Sequence, residues 1–183
     1  YDYLYASIYK CNKMIEAMID SPVDQTYKNE IEGEVKFIRA WQYFAAVRFW
    51  GDIPLIVNTP KNIDETDAPR VHYVEVYKQI LSDLEYAEQN MRTPERVAEV
   101  GGMTGRPNKW AATALKASVY MQIACLIENK EYQFFDYQNN PERDCDFSSI
   151  GISTAEDAWN LCLKTAEKVI NEGPYELAKS YAD

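Results

Sequence analysis

Residues 131–144, EYQFFDYQNNPERD, hold the densest run of groups suited to binding by contact. Tyr132, Phe134, Phe135 and Tyr137 offer flat aromatic faces, and Asn139 and Asn140 carry amides that both donate and accept hydrogen bonds. Gln138 and Arg143 add further polar reach. The competing reading is that Phe134 and Phe135 pin a long loop onto its scaffold. A second aromatic stripe, Tyr1, Tyr5 and Tyr9, opens the chain, and core packing is the simpler account of it. Groups for catalysis are scarcer. His72 is the only histidine, which removes multi-histidine metal sites and any triad that needs a histidine to spare. Carboxylate pairs such as Asp64 with Glu65, or Asp144 with Asp146, resemble a glycosidase dyad, but 29 acidic residues make such pairs commonplace. The glycines of GGMTGRP, 101–107, lack the lysine and the preceding strand of a phosphate loop, and make a flexible connection instead. Cys11, Cys125, Cys145 and Cys162 show no CxxC spacing and are expected to be structural thiols, with one disulfide left open. No cofactor or metal is expected.

These groups sit in a chain of 183 residues, enough for one domain with a full core. A 46% hydrophobic content excludes general disorder, and a net charge of −10 argues against nucleic-acid partners, which need clustered cations. The chain starts without Met inside a helical pattern and is expected to be an internal piece, one helical domain over 1–183, of a longer protein. No signal peptide or long uninterrupted apolar run points to a membrane span.

Helical spacing accounts for five segments, and none alternates with a period of two. The first, 1–19, aligns Leu4, Ile8, Cys11, Ile15 and Ile19, and Pro22 stops it. The second, 26–50, puts Ile31, Val35, Ile38, Ala45 and Phe49 on one side and Phe37, Trp41 and Phe44 on the next. So wide an apolar arc predicts burial on two sides, with Trp41 in the core, rather than a ligand platform. Arg39, among these apolar neighbours, should pair with a carboxylate such as Glu34 or one on a neighbouring helix. Gly51 and Pro54 end this helix, turning the chain into a short extended IPLI. The third segment, 73–91, follows His72, which is read as a surface or capping residue. The fourth opens near Pro107, and its Ala111, Ala112, Ala114, Ala117 and Ser118 let another helix approach closely. The fifth, 155–172, ends at Gly173 and Pro174. The expected fold is all-α, an irregular tetratricopeptide-like array of helix pairs with two long connecting loops.

The segment GEVKFIRAWQYFAAVRFWGDIPLI resembles the signature helix and stop of SusD/RagB-type proteins through Glu34, Phe37, Arg39, Ala40, Tyr43, Phe44, Gly51, Asp52, Pro54 and Leu55, with Ile38 where that family more often has Leu. Three further ordered blocks resemble it: PRVHYVEVYKQILSDLEYAEQNM, GRPNKWAATALKASVYM and AEKVINEGPYEL. The resemblance implies a surface lipoprotein of the outer membrane, not an enzyme, that captures a glycan or sometimes a peptide. It implies a SusC-like TonB-dependent transporter as partner, and membrane attachment only through a lipid anchor outside this chain. Tyr132, Phe134, Phe135, Tyr137, Asn139 and Asn140 are then the candidate glycan contacts. The alternative is a generic helical-repeat module that binds a peptide or protein on its concave face. An all-helical enzyme is poorly supported with a single histidine.

Overall fold

The computed structural model describes residues 2–62, 65, 67–101, 105–129 and 145–177. Its elements are helices α1 (Asp2–Ile19), α2 (Gln25–Trp50), α3 (Tyr73–Asn90), α4 (Pro94–Glu99), α5 (Lys109–Glu128) and α6 (Ala155–Glu172), with one two-stranded ribbon, β1 (Ile53–Pro54) and β2 (Arg70–Val71). The fold is all-α, as the periodicity predicts. The ribbon is too short to show in the sequence pattern: Ile53 pairs with Val71 and Pro54 with Arg70, antiparallel.

Local chemistry sets each boundary. The Asp24 carboxylate accepts from the amides of Thr26 (2.7 Å) and Tyr27 (3.1 Å), satisfying donors that the first turn of α2 leaves free. At the other end Gly51 turns with φ 64, and its amide donates to the Val47 carbonyl at 2.9 Å. A side chain is strained in that region, which explains the abrupt stop. The following Asp52 accepts from the Tyr73 amide at 3.1 Å, so the Gly-Asp corner that closes α2 also starts α3. His72 caps α3 as well, its Nδ1 accepting from the Val74 amide at 3.4 Å. Pro107 does not open α5. Asn108 is the cap, bonding the Trp110 amide at 3.0 Å, and the helix begins at Lys109. Gly173 ends α6 with φ −75, so left-handed backbone is not its reason. A Cβ there would meet the Val169 carbonyl oxygen, the acceptor of the Gly173 amide in the last turn, at 2.4 Å, so the helix end favours glycine.

The core runs along α3, which packs between α2 and α5. Tyr77, Ile80, Leu84 and Ala87 are fully buried on it, facing Ala40, Tyr43 and Val47 of α2 and Ala112 and Val119 of α5. Gly33 lets the end of α3 come close, because a Cβ would sit 3.1 Å from both the Met91 amide nitrogen and its Cγ. Helix α5 is apolar nearly all round because α3 and α6 cover it on two sides. By length and mean hydropathy alone it would pass for a membrane span, yet Lys116 bridges from it to Glu88. Helix α6 fully buries only Ala158 and Thr165; Leu163 and Ile170 stand 57% and 72% exposed.

Three sets of buried charges fasten the joints. Arg39 forks onto Asp83, Nε to Oδ2 at 2.8 Å and Nη2 to Oδ1 at 2.7 Å, and its Nη1 donates to Asn12 (2.8 Å) and the Val57 carbonyl (3.1 Å). Its partner is thus the carboxylate on the neighbouring helix, not Glu34. Glu34 instead takes Arg106, with Nη2 to Oε2 at 2.7 Å. Glu30 takes Arg92 at 2.6 Å and Arg96 at 3.2 Å. Glu88 joins Lys116 of α5 and, at 2.7 Å, Lys168 of α6.

Two predictions follow from these charges. Asp83→Ala leaves a buried guanidinium unpaired and should cost about 3–5 kcal/mol in denaturant unfolding; a loss under about 1 kcal/mol would mean that Arg39 finds another partner. Acid should also weaken the fold. Burial alone raises the pKa of Glu30 and Glu88, but bonds from Arg92 and Arg96, and from Lys116 and Lys168, outweigh it and leave both lowered. Their stabilising effect is complete above the unfolded carboxylate pKa of about 4.3 and is lost as pH falls through the lower folded values. Melting temperature should therefore drop on acidification below about pH 4.3, and less steeply in Glu30→Gln, Glu88→Gln protein.

Candidate functional site

The loop contacts expected from sequence, Tyr132, Phe134, Phe135, Tyr137, Asn139 and Asn140, lie outside the described residues. Of the N-terminal tyrosines, Tyr5 is structural: its hydroxyl donates to the Pro54 carbonyl at 2.6 Å and its ring meets Tyr43 edge-on. Tyr9 is 44% exposed, and Tyr1 falls outside the described residues. Two concave surfaces among the described residues differ in kind.

The first is a groove of about 590 Å³ between α2 and α5. It overturns the expectation for the aromatic helix. Phe37 and Phe44 turn inward at 7% exposure, but Trp41 stands 54% exposed and Phe49 75% exposed. Ile38, also placed with the core by its spacing, is exposed. The inward face runs instead through Ile31, Phe37, Ala40, Tyr43, Phe44 and Val47. Trp41 packs edge-on against Phe37 with centroids 6.1 Å apart, forming one wall, and Ala111, Ala114 and Ser118 of α5 form the floor. Arg48 lies 5.0 Å over the Phe44 ring, a cation–π geometry. The groove holds no group that exchanges a proton near neutral pH. Its polar equipment is the Arg48 guanidinium and the Ser118 hydroxyl, which donates to the Ala114 carbonyl at 3.2 Å. A sugar laid here would lose water from several hydroxyls and regain few bonds. The groove suits an apolar occupant.

The second surface is a polar cleft of about 550 Å³ where α1 meets the 58–65 connection. Glu16, Asn58, Thr59, Lys61 and Glu65 line it. A Glu16 oxygen accepts from the Thr59 amide at 2.6 Å, and this bond holds the carboxyl below its usual range. Glu65 accepts from the Lys61 amide (2.8 Å) and the Asn62 side chain (2.9 Å). Behind the cleft Asn12 donates to the carbonyls of Ile56 (2.8 Å) and Asn58 (3.2 Å), so the Arg39 fork also shapes this wall. Carboxylate, amide and ammonium groups converge here as hydroxyl-rich ligands require. Tyr9 lies seven residues before Glu16, on the same face of α1. Sequence inspection marks the 51–72 connection only by its length. That Glu16 meets Thr59 depends on a contact across 43 positions that no local spacing encodes. Among the described residues no three His, Cys, Asp or Glu side chains gather as a metal site requires. No disulfide joins the four cysteines.

Residues 1–121 match the model of the SusD-like family described as starch-binding and associating with the outer membrane. The chain belongs to this SusD-like family. It is 25% identical to SusD-like protein P25 of Formosa agariphila over 98% of its own length, yet spans only 27% of that relative. Its fold is similar to a SusD superfamily protein of Parabacteroides distasonis, with TM-score 0.71 and 26% identity over 98% of this chain and 32% of the other. It is also similar to a laminarin-binding SusD-like protein, with TM-score 0.58 and 25% identity over 75% of this chain and 31% of the other.

The cleft carries its own prediction. Glu16→Ala removes the acceptor from the Thr59 amide, so that hydrogen should exchange with solvent roughly tenfold faster while the overall melting temperature holds. Hydrogen exchange read residue by residue checks this; an unchanged rate would show that the bond does not order the connection.

Proposed function

We propose that this chain is the helical-scaffold part of a cell-surface lipoprotein that captures a glycan and passes it to a SusC-like TonB-dependent transporter in the outer membrane. The observation that carries the reading is the family match over residues 1–121, a family described by starch binding and outer-membrane association. The laminarin-binding relative, at 25% identity, supports a polysaccharide as the ligand class. On this reading the protein binds without catalysis, and the lipid anchor and much of the ligand site belong to sequence beyond these 183 residues. The chain spans 27% of one relative and 32% of another.

Within the chain, the ligand contacts proposed are Tyr132 and Tyr137, whose phenols tolerate water, with Phe134, Phe135, Asn139 and Asn140 around them. An aromatic ring stacks on the apolar C–H face of a sugar while amides bond its hydroxyls. The cleft of Glu16, Asn58 and Lys61 supplies polar groups of the same kind.

The test is a glycan array with the full-length protein, followed by calorimetry on the ligand it selects. Tyr132→Ala and Tyr137→Ala should each weaken binding, by about tenfold if one stacking contact is worth roughly 1.4 kcal/mol. Unchanged affinity in both variants, with the fold intact, would remove this loop from the site. Failure to bind any glycan would remove the capture reading itself.

A further inference from the structure

Two of the four cysteines meet across the interface of α5 and α6. These helices run antiparallel. Trp159, early in α6, donates through Nε1 to a Glu128 oxygen at the end of α5 at 2.8 Å. Near their other ends Lys116 and Lys168 converge on Glu88. Residues three apart on a helix share a face. Three positions inward from Trp159 stands Cys162, and three inward from Glu128 stands Cys125, so the Trp159–Glu128 bond sets the two thiols opposite each other. Side chains on a helix lean toward its N-terminus, which carries the Cys125 sulfur over the turn of Met121. The Cys162 thiol bonds the backbone of that same Met121. Burial, and after it the charge of Cys125, push the Cys162 thiol up, so each sulfur stands in the field of the other.

The other two cysteines sit elsewhere. Cys11 is buried on α1 beside Arg39 and Asp83, and Cys145 lies against Tyr73. Cys125 and Cys162 are both half-buried, which leaves them open to a small reagent. They also lie where a covalent tie has most to add. Among the described residues α6 fully buries only Ala158 and Thr165, and its packing partner is α5.

We propose that Cys125 and Cys162 are a redox-sensitive pair, whose disulfide, formed by exchange with a small disulfide, staples α6 to α5. One cysteine, as its thiolate, attacks a sulfur of the reagent and expels half of it as a thiolate, leaving a mixed disulfide. The second cysteine then gives up its proton and attacks the first cysteine's sulfur, and the other half of the reagent leaves. The pair loses two electrons and two protons, and the reagent is reduced to two thiols. In the reduced form α6 opens by breaking non-covalent contacts alone; in the oxidised form it stays tethered to α5 when they break. The device holds whether or not the protein captures a glycan.

The test uses the folded full-length protein, first reduced and then exchanged into oxidised glutathione. Remaining thiols are trapped with N-ethylmaleimide, and the protein is digested without reduction. Mass spectrometry should find the Cys125 peptide joined to the Cys162 peptide in monomeric protein, with Cys11 and Cys145 carrying maleimide. Cys125 and Cys162 both carrying maleimide, glutathione adducts that go no further, or a link to another cysteine or a second copy would each overturn the proposal. Hydrogen exchange reads the staple itself. Amides of 155–172 should exchange at least about threefold more slowly in oxidised than in reduced protein, and Cys125→Ser should erase that difference. Equal rates in the two redox forms, or a difference that survives in Cys125→Ser, would show that the bond does not hold α6.

Discussion

The fork from Arg39 to Asp83 is the interaction on which the other contacts depend. It joins α2 to α3 at the middle of the scaffold, and through Asn12 and the Val57 carbonyl it draws in α1 and the connection that leaves the ribbon. Gln79 adds a bond to the same carboxylate at 3.0 Å. Two ions taken from water gain little net stability even in good geometry, and apolar residues of similar size often do as well. What an apolar pair lacks is direction. A planar guanidinium accepts one orientation of its carboxylate and spends its remaining donors on two named oxygens. That geometry sets how far α2 and α3 slide past each other, and hence which side chains of α2 face inward.

The other charged joints repeat this principle at one end of the core, where the start of α2 meets the end of α3. Glu30 and Glu34, near the start of α2, hold Arg92, Arg96 and Arg106, which belong to the chain between α3 and α5. Glu88, near the end of α3, holds one lysine from each of the next two long helices. Each joint therefore connects elements that the hydrophobic contacts alone would leave free to slip. Arg48 differs from these arginines in resting on an aromatic ring, that of Phe44.

Much of this was legible in the residues. Helices α1, α2, α3 and α6 fall within about a residue of their predicted spans because their apolar spacing and the stops at Pro22, Gly51 and Gly173 agree with one another. Helix α4 was not foreseen, since six residues give too little periodicity, although Thr93 and Pro94 do form a start signal. The inward face of α2 was misread for a different reason. Aromatic residues surround that helix, so spacing alone assigns Trp41 and Phe49 to a core that has no room for them. The polar cleft was legible only as a long connection, because its carboxylate comes from α1 and its amide from across the fold.

The outer side of α6 has a thermodynamic consequence of its own. In a stacked array, the work of detaching a helix is close to the sum of the interfaces it breaks. Helix α3 must part from both α2 and α5, whereas among the described residues α6 is held mainly by α5, with Lys168 reaching Glu88 of α3 and with Leu163 and Ile170 exposed. Local opening is therefore graded along the chain, cheapest at α6 and dearest at α3. Such a molecule behaves less like a switch with one melting point than like a zipper whose teeth loosen in order. Anything that stacks onto the bare side of α6 would even out that gradient.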